Sequence, residues 1–179
     1  MVVQIAGIAG SGDISCDKKQ VFVFCGDKGI SETAVSQSDS SVTAMVADEI
    51  AEGKSSVNRM ADVAGAEVSC IDVGIKDATH SFNIIHRNVI RGTKNFINEP
   101  AMTPDEAEKC LEAGTNALRE SDADIIAVGE MGIADTTCAS VITASLLHLT
   151  ADDVCGRGAG LSNEGLAFKK RVIDDTIKK

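Results

Sequence analysis

The stretch GEMGIADTT (residues 129–137) holds the residues whose types and spacing best suit chemistry. Gly129 and Gly132 allow close backbone approach or a positive φ. Asp135, Thr136 and Thr137 then open a helix, with Asp135 or Thr136 as its cap. A helix start leaves unpaired N–H groups with partial positive charge, which favours a phosphate. GRGAG (residues 156–160) adds a second N–H-rich turn, with Arg157 inside it. Lys169 follows about two turns into the next helix. These groups together suit a cradle for one phosphate, and Glu130 beside it suits an acceptor for a ribose hydroxyl. The same spacing also fits glycines that merely cap strands around a solvated Glu130, and pattern alone leaves both open.

Three strands must position these groups. QVFVFCGDKG predicts a nearly continuous apolar strand at residues 21–25, stopped by Gly26 and Asp27. AEVSCIDVG predicts a second and DIIAVG a third. Such runs suit parallel strands buried on both faces. Helices are predicted between them. Val42, Met45, Val46 and Ile50 recur at helical spacing after Ser40 or Ser41. SSVNRMADVAG repeats the pattern and stops at Gly65. TPDEAEKCLEAGTNALRE carries Thr103 as N-cap, Pro104 in the first turn and Glu106 completing a capping box, with a stripe from Ala107 through Cys110, Leu111, Gly114 and Ala117 to Leu118. TTCASVITASLLHL and LAFKKRVIDDTIKK are the last two. Residues 76–102 read as one long irregular segment, a length that is usually functional or mobile. Alternation of this kind predicts an α/β fold, one domain with a parallel sheet. Ligands in such folds sit beyond the carboxyl ends of the strands, where all the unusual sequence of this chain falls.

Composition removes several function classes. A net charge of −10 with no Trp or Tyr argues against nucleic acid, which needs a basic stripe or stacking rings. Six cysteines without a C-x-x-C pair predict reduced thiols. His80, His86 and His148 do not cluster with other ligands, so no metal is expected. No apolar run could span a membrane, and the opening MVVQIAGIAGSGD is a poor signal peptide; a cytoplasmic protein is expected. EGKSS lacks the first glycine of a P-loop, and neither GIAGSG nor GRGAG gives G-x-G-x-x-G, so no nucleotide cofactor is expected. Lys28 reads as a solvated loop lysine, and Arg91 and Lys94 read equally as ligand-closing or as surface groups.

GEMGIADTT followed by GRGAGLSNEGLAFKK resembles the nicotinate-nucleotide:dimethylbenzimidazole phosphoribosyltransferase family of cobalamin lower-ligand synthesis. So do CGDKGISETAVSQSDSSVTAMV, GKSSVNRMADVAGAEVSCIDVGI and RGTKNFINEPAMT, in the same order. The resemblance implies a Rossmann-like three-layer fold, truncated relative to the family. It implies transfer of the phosphoribosyl group of nicotinate mononucleotide to a benzimidazole, without a cofactor. It places Glu130 at the ribose and Gly132, Ile133, Ala134, Asp135, Thr136 and Thr137 at the phosphate. Gly156, Arg157, Gly158 and Lys169 complete the anion site, while Asp27, Ser36, Met45 and Met131 line the base pocket. The chain departs from the family pattern at Lys28 (usually His or Asn), Ala34 (usually Gly), Met45 (often Gln) and Ala134-Asp135 (usually Gly-Asn). The family's general-base glutamate lies in a C-terminal segment not matched here, so no catalytic residue is assigned, and helices of the family's small domain are not matched either. A homodimer is implied. The alternatives are a non-catalytic nucleotide-binding or split subunit needing a partner chain, or a transferase for another aromatic base.

Overall fold

The computed structural model describes residues 1–178. Helix α1 (Val2–Ala9) precedes strand β1 (Lys19–Gly26) and a 3-10 turn at Gly29–Thr33. Helices α2 (Ser41–Ala51) and α3 (Ser56–Ala64) lead to β2 (Glu67–Gly74) and the short β3 (Ile85–His86). Then come α4 (Pro104–Arg119), β4 (Ile125–Met131), α5 (Asp135–Leu147), α6 (Ala151–Val154) and α7 (Asn163–Ile177). The four strands form one sheet in the order β3-β2-β1-β4, and every pairing is parallel. No described helix is long and apolar enough to cross a membrane.

Alternation along β1 explains the layers. Val23 and Cys25 point to the face packed by Ala44, Ala47 and Ile50 of α2, with Val57 of α3 behind them. Phe22 and Phe24 point to the opposite face, where Ala117 of α4 meets Ile71 and Val73. Each fully buried Val, Ile or Phe side chain contributes about 1.5–3 kcal/mol, and each alanine methyl less. The capping box of α4 forms as its sequence demands. Thr103 N–H donates to Glu106 Oε2 at 2.7 Å, and Glu106 N–H donates back to Thr103 Oγ1 at 3.2 Å.

Several expectations are corrected. The strand 125–131 is not buried on both faces: β4 is the open edge of the sheet, and Val128 is 70% exposed. The stripe of α4 is shifted, because Ala113 and Ala117 make the contact while Leu111 and Leu118 stay exposed. The segment 76–102 is not wholly irregular, since Ile85 and His86 add to β2 beside Ile71 and Asp72. Neither Asp135 nor Thr136 caps α5. Ala134 takes that position in the left-handed region, φ 71°, where no side chain can cap.

Candidate functional site

Strand order reverses between β1 and β4. The chain runs outward from β1 to β2 and β3, then returns to lay β4 on the other side of β1. Connections leaving neighbouring strands in opposite directions open a crevice at their carboxyl ends. A crevice of about 530 Å³, including its open mouth, lies there. Its walls are Glu130 to Thr136 from the exit of β4, Val35 to Gln37 from the loop after β1, and Arg157 to Ala159, Leu161 and Lys169 from the glycine-rich turn and α7.

A third apolar cluster braces the crevice. Ile30 and Val35 pack on Ala134, Cys138, Phe168 and Val172, so the loop after β1 is fixed to α5 and α7. Gln37 Nε2 donates to the Gly160 carbonyl at 2.8 Å, tying that loop to the glycine-rich turn. Thr43 of α2 accepts from Ile133 N–H at 3.3 Å. Gly132 must be glycine, because a Cβ there would collide with the Gly26 carbonyl and sit 2.6 Å from Asp135 Oδ1.

Lys169 is the strongest feature. It is only 1% exposed, yet it lines the crevice. Its Nζ donates to Thr136 Oγ1 at 2.8 Å and to the Gly156 carbonyl at 3.3 Å, both neutral groups. Burial pushes its pKa below the ordinary lysine value, and no carboxylate offsets this. The amide of Thr136, in the first turn of α5, donates to no described acceptor. A buried ammonium and an unpaired helix-start amide around one cavity are the groups that favour an anion.

The remaining sequence-assigned residues divide. Glu130 lines the crevice and is exposed, and its carboxylate makes no hydrogen bond or ion pair with any described residue. Ser36 and Met131 also line it. Gly156 touches the site only through its carbonyl. Arg157 lines the crevice but spends its guanidinium on the Leu161 carbonyl (2.7 Å) and Asn163 Oδ1 (2.5 Å), bracing the turn into α7. Thr137 is fully buried beneath, its hydroxyl without a partner. Asp27 lies outside this crevice, buried, accepting from Lys76 N–H at 2.8 Å. Met45 lies outside it too, 58% exposed on α2. Arg91 lines a separate cleft beside Asp72 and His86, and Lys94 pairs with Glu99 at 2.6 Å.

Lys28 corrects the expectation of a solvated side chain. It is mostly buried, and its Nζ lies 2.8 Å from Asp135 Oδ1 and donates to the Gly26 carbonyl at 2.8 Å. Two positions at which the chain departs from the family pattern therefore touch. Gln37 and Thr43 carried no sequence signal, because their roles depend on contacts between distant loops.

A family model described as phosphoribosyltransferase matches residues 1–179. A nicotinate-nucleotide–dimethylbenzimidazole phosphoribosyltransferase of Clostridium perfringens is 33% identical over 182 residues, covering 100% of this chain and 50% of the relative. One from Geobacter metallireducens is 38% identical over 174 residues, covering 95% of this chain and 49% of the relative. The crystal structure of CobT from Thermus thermophilus superposes with a TM-score of 0.93 at 32% identity, covering 99% of this chain and 54% of that one. The chain thus spans about half the length of the curated relatives it matches.

Proposed function

This chain belongs to the phosphoribosyltransferase family, and from that premise we propose that it serves transfer of the 5-phosphoribosyl group of nicotinate mononucleotide to 5,6-dimethylbenzimidazole in the cytoplasm. The product would be α-ribazole 5′-phosphate, for cobalamin synthesis. The observation that carries the reading is Lys169, a buried ammonium with only neutral partners beside a helix start. In this reading Lys169 and the Thr136 amide hold the phosphate, Glu130 accepts from the ribose hydroxyls, and Ser36 and Met131 border the incoming azole. A ring nitrogen of the azole bonds to C1′ while the C1′–pyridinium bond breaks. The released electron pair returns to the pyridine nitrogen and discharges its cation. Such a step asks mainly for positioning, plus a base for the azole proton. Of the two carboxylates lining the crevice, Asp135 is held by Lys28 and Glu130 is assigned to the ribose.

A second reading, a nucleotide-binding subunit that turns over only with another polypeptide or a second copy, is favoured by uncovered apolar surface. Strand β4 has one unpaired edge beside exposed Val128, and α5 leaves Ile142, Leu146 and Leu147 bare. Helix α1 buries no residue at all. Apolar area of that extent marks interaction sites.

Isothermal titration with nicotinate mononucleotide tests the first reading. Weak but saturable binding is expected, and no heat at millimolar ligand overturns it. Product analysis by mass spectrometry over several azoles and phenols, with and without a separately expressed second half of a relative, decides between the two. Turnover only in the mixture supports the second.

A further inference from the structure

Resting on that reading, we propose that Lys28 is a positioning residue whose ammonium neutralises Asp135 and so lets the start of α5 accept the substrate's phosphate monoester. Asp135 is the first residue of α5, is 8% exposed, and lines the crevice within the same turn as the Thr136 amide. Left alone, its carboxylate would set a negative charge inside the phosphate site and cancel the favourable field of the helix start. Both carboxylate oxygens lie over the Gly132 turn, where a Cβ on Gly132 would meet them at 2.6 and 2.8 Å. Lys28 reaches over from the exit of β1 and sits 2.8 Å from Asp135 Oδ1. The same Nζ also holds the Gly26 carbonyl, the group that a Cβ at Gly132 would strike. One ammonium therefore does two things: it removes the charge conflict, and it ties the end of β1 to the start of α5 across the Gly132 turn. Burial, and to a lesser extent Asp27 buried on the same side, push the Asp135 carboxyl above its ordinary pKa, and Lys28 opposes both.

The two roles separate in a double-mutant experiment read by calorimetry with inorganic phosphate, nicotinate mononucleotide and the phosphate-free nicotinate riboside. Lys28→Met is expected to weaken phosphate and mononucleotide binding by about tenfold or more, and riboside binding by no more than about twofold. Asp135→Asn should hold phosphate as well as the wild type or better. Lys28→Met/Asp135→Asn should return to within about threefold of the wild type, since the conflict is gone although the tie is lost. A double variant as weak as Lys28→Met overturns the electrostatic role, and so does a Lys28→Met protein with normal phosphate affinity. Should Lys28→Met not fold, Asp135→Asn alone decides: a loss of phosphate affinity beyond about threefold overturns the proposal. Wild-type protein that binds phosphate but not the mononucleotide removes the functional reading and leaves this inference standing. Wild-type protein that binds neither removes both.

Discussion

Replacing Lys169 by Met removes the charge and keeps an unbranched stem of similar length. For the ligand-free protein, burying an ammonium costs several kcal/mol. Two hydrogen bonds to neutral oxygens offset part of this, at about 1.5–3 kcal/mol each. Neither acceptor is orphaned by the change, because Thr136 and Gly156 are both exposed and reach water. Lys169→Met should therefore leave the ligand-free protein as stable as the wild type, or up to about 2 kcal/mol more stable. Binding should move the other way. One charge-assisted contact to the phosphate, about 2–3 kcal/mol, corresponds to a Kd raised about 30- to 150-fold. Proton linkage supplies a signature. Burial lowers the Lys169 pKa in the folded state, while the unfolded chain keeps the ordinary value of 10.5. Between the two values the unfolded state binds more protons, so ligand-free stability gains from this residue as pH rises through that window. Below the window the cost is fully present, and in Lys169→Met the component is absent at every pH. Urea melts across pH, paired with calorimetry, read both effects. A variant that loses more than about 2 kcal/mol without ligand, yet binds nicotinate mononucleotide within about threefold of wild type, would make Lys169 a structural residue and refute the reasoning.

Ala34 is exposed and left-handed at φ 52°, so Ala34→Gly should raise stability by about 0.5–1 kcal/mol, or roughly 2–4 °C in Tm. Ala134→Gly should gain less, because its methyl is buried against Ile30 and Val35; equal gains would refute the distinction, and paired thermal melts decide. Gly132→Ala should abolish mononucleotide binding or soluble expression, since its Cβ has nowhere to go; a soluble variant with unchanged Kd would refute the tight packing of that turn. Burial pushes the Cys138 thiol up to about 11, and Cys25 is wholly buried. Both should be the slow sites when native protein is alkylated at pH 8 and mapped by mass spectrometry, with half-exposed Cys16 among the fast ones.

What the sequence made legible follows from where each structural cause resides. Local causes were readable: the Thr103–Glu106 capping box, the apolar run of β1, and the helix opening after Glu130 all depend on residues a few positions apart. Lys169 was readable at longer range, because a glycine-rich turn and a lysine at helical spacing constrain each other within one segment. The edge position of β4 was not readable. Its apolar run is that of a strand covered on both sides, and only the strand order shows it to be an edge strand, with Val128 exposed. Lys28 was misread for a related reason. Taken singly, a loop lysine beside glycine is most often solvated, and an aspartate at a phosphate site is a liability. The two lie far apart in the chain and become intelligible only as neighbours at 2.8 Å. The left-handed alanines, Ala34 and Ala134, complete the same lesson. Both occupy positions where the resembled family carries glycine, and the backbone keeps the glycine geometry despite the added methyl. The shape of the turn after β4 is therefore imposed by packing around it, from Ile30, Val35 and the Lys28 tie, and is not chosen by the residues that form it. A site held from outside in this way should tolerate substitution within the turn, Gly132 excepted, better than substitution of the groups that clamp it.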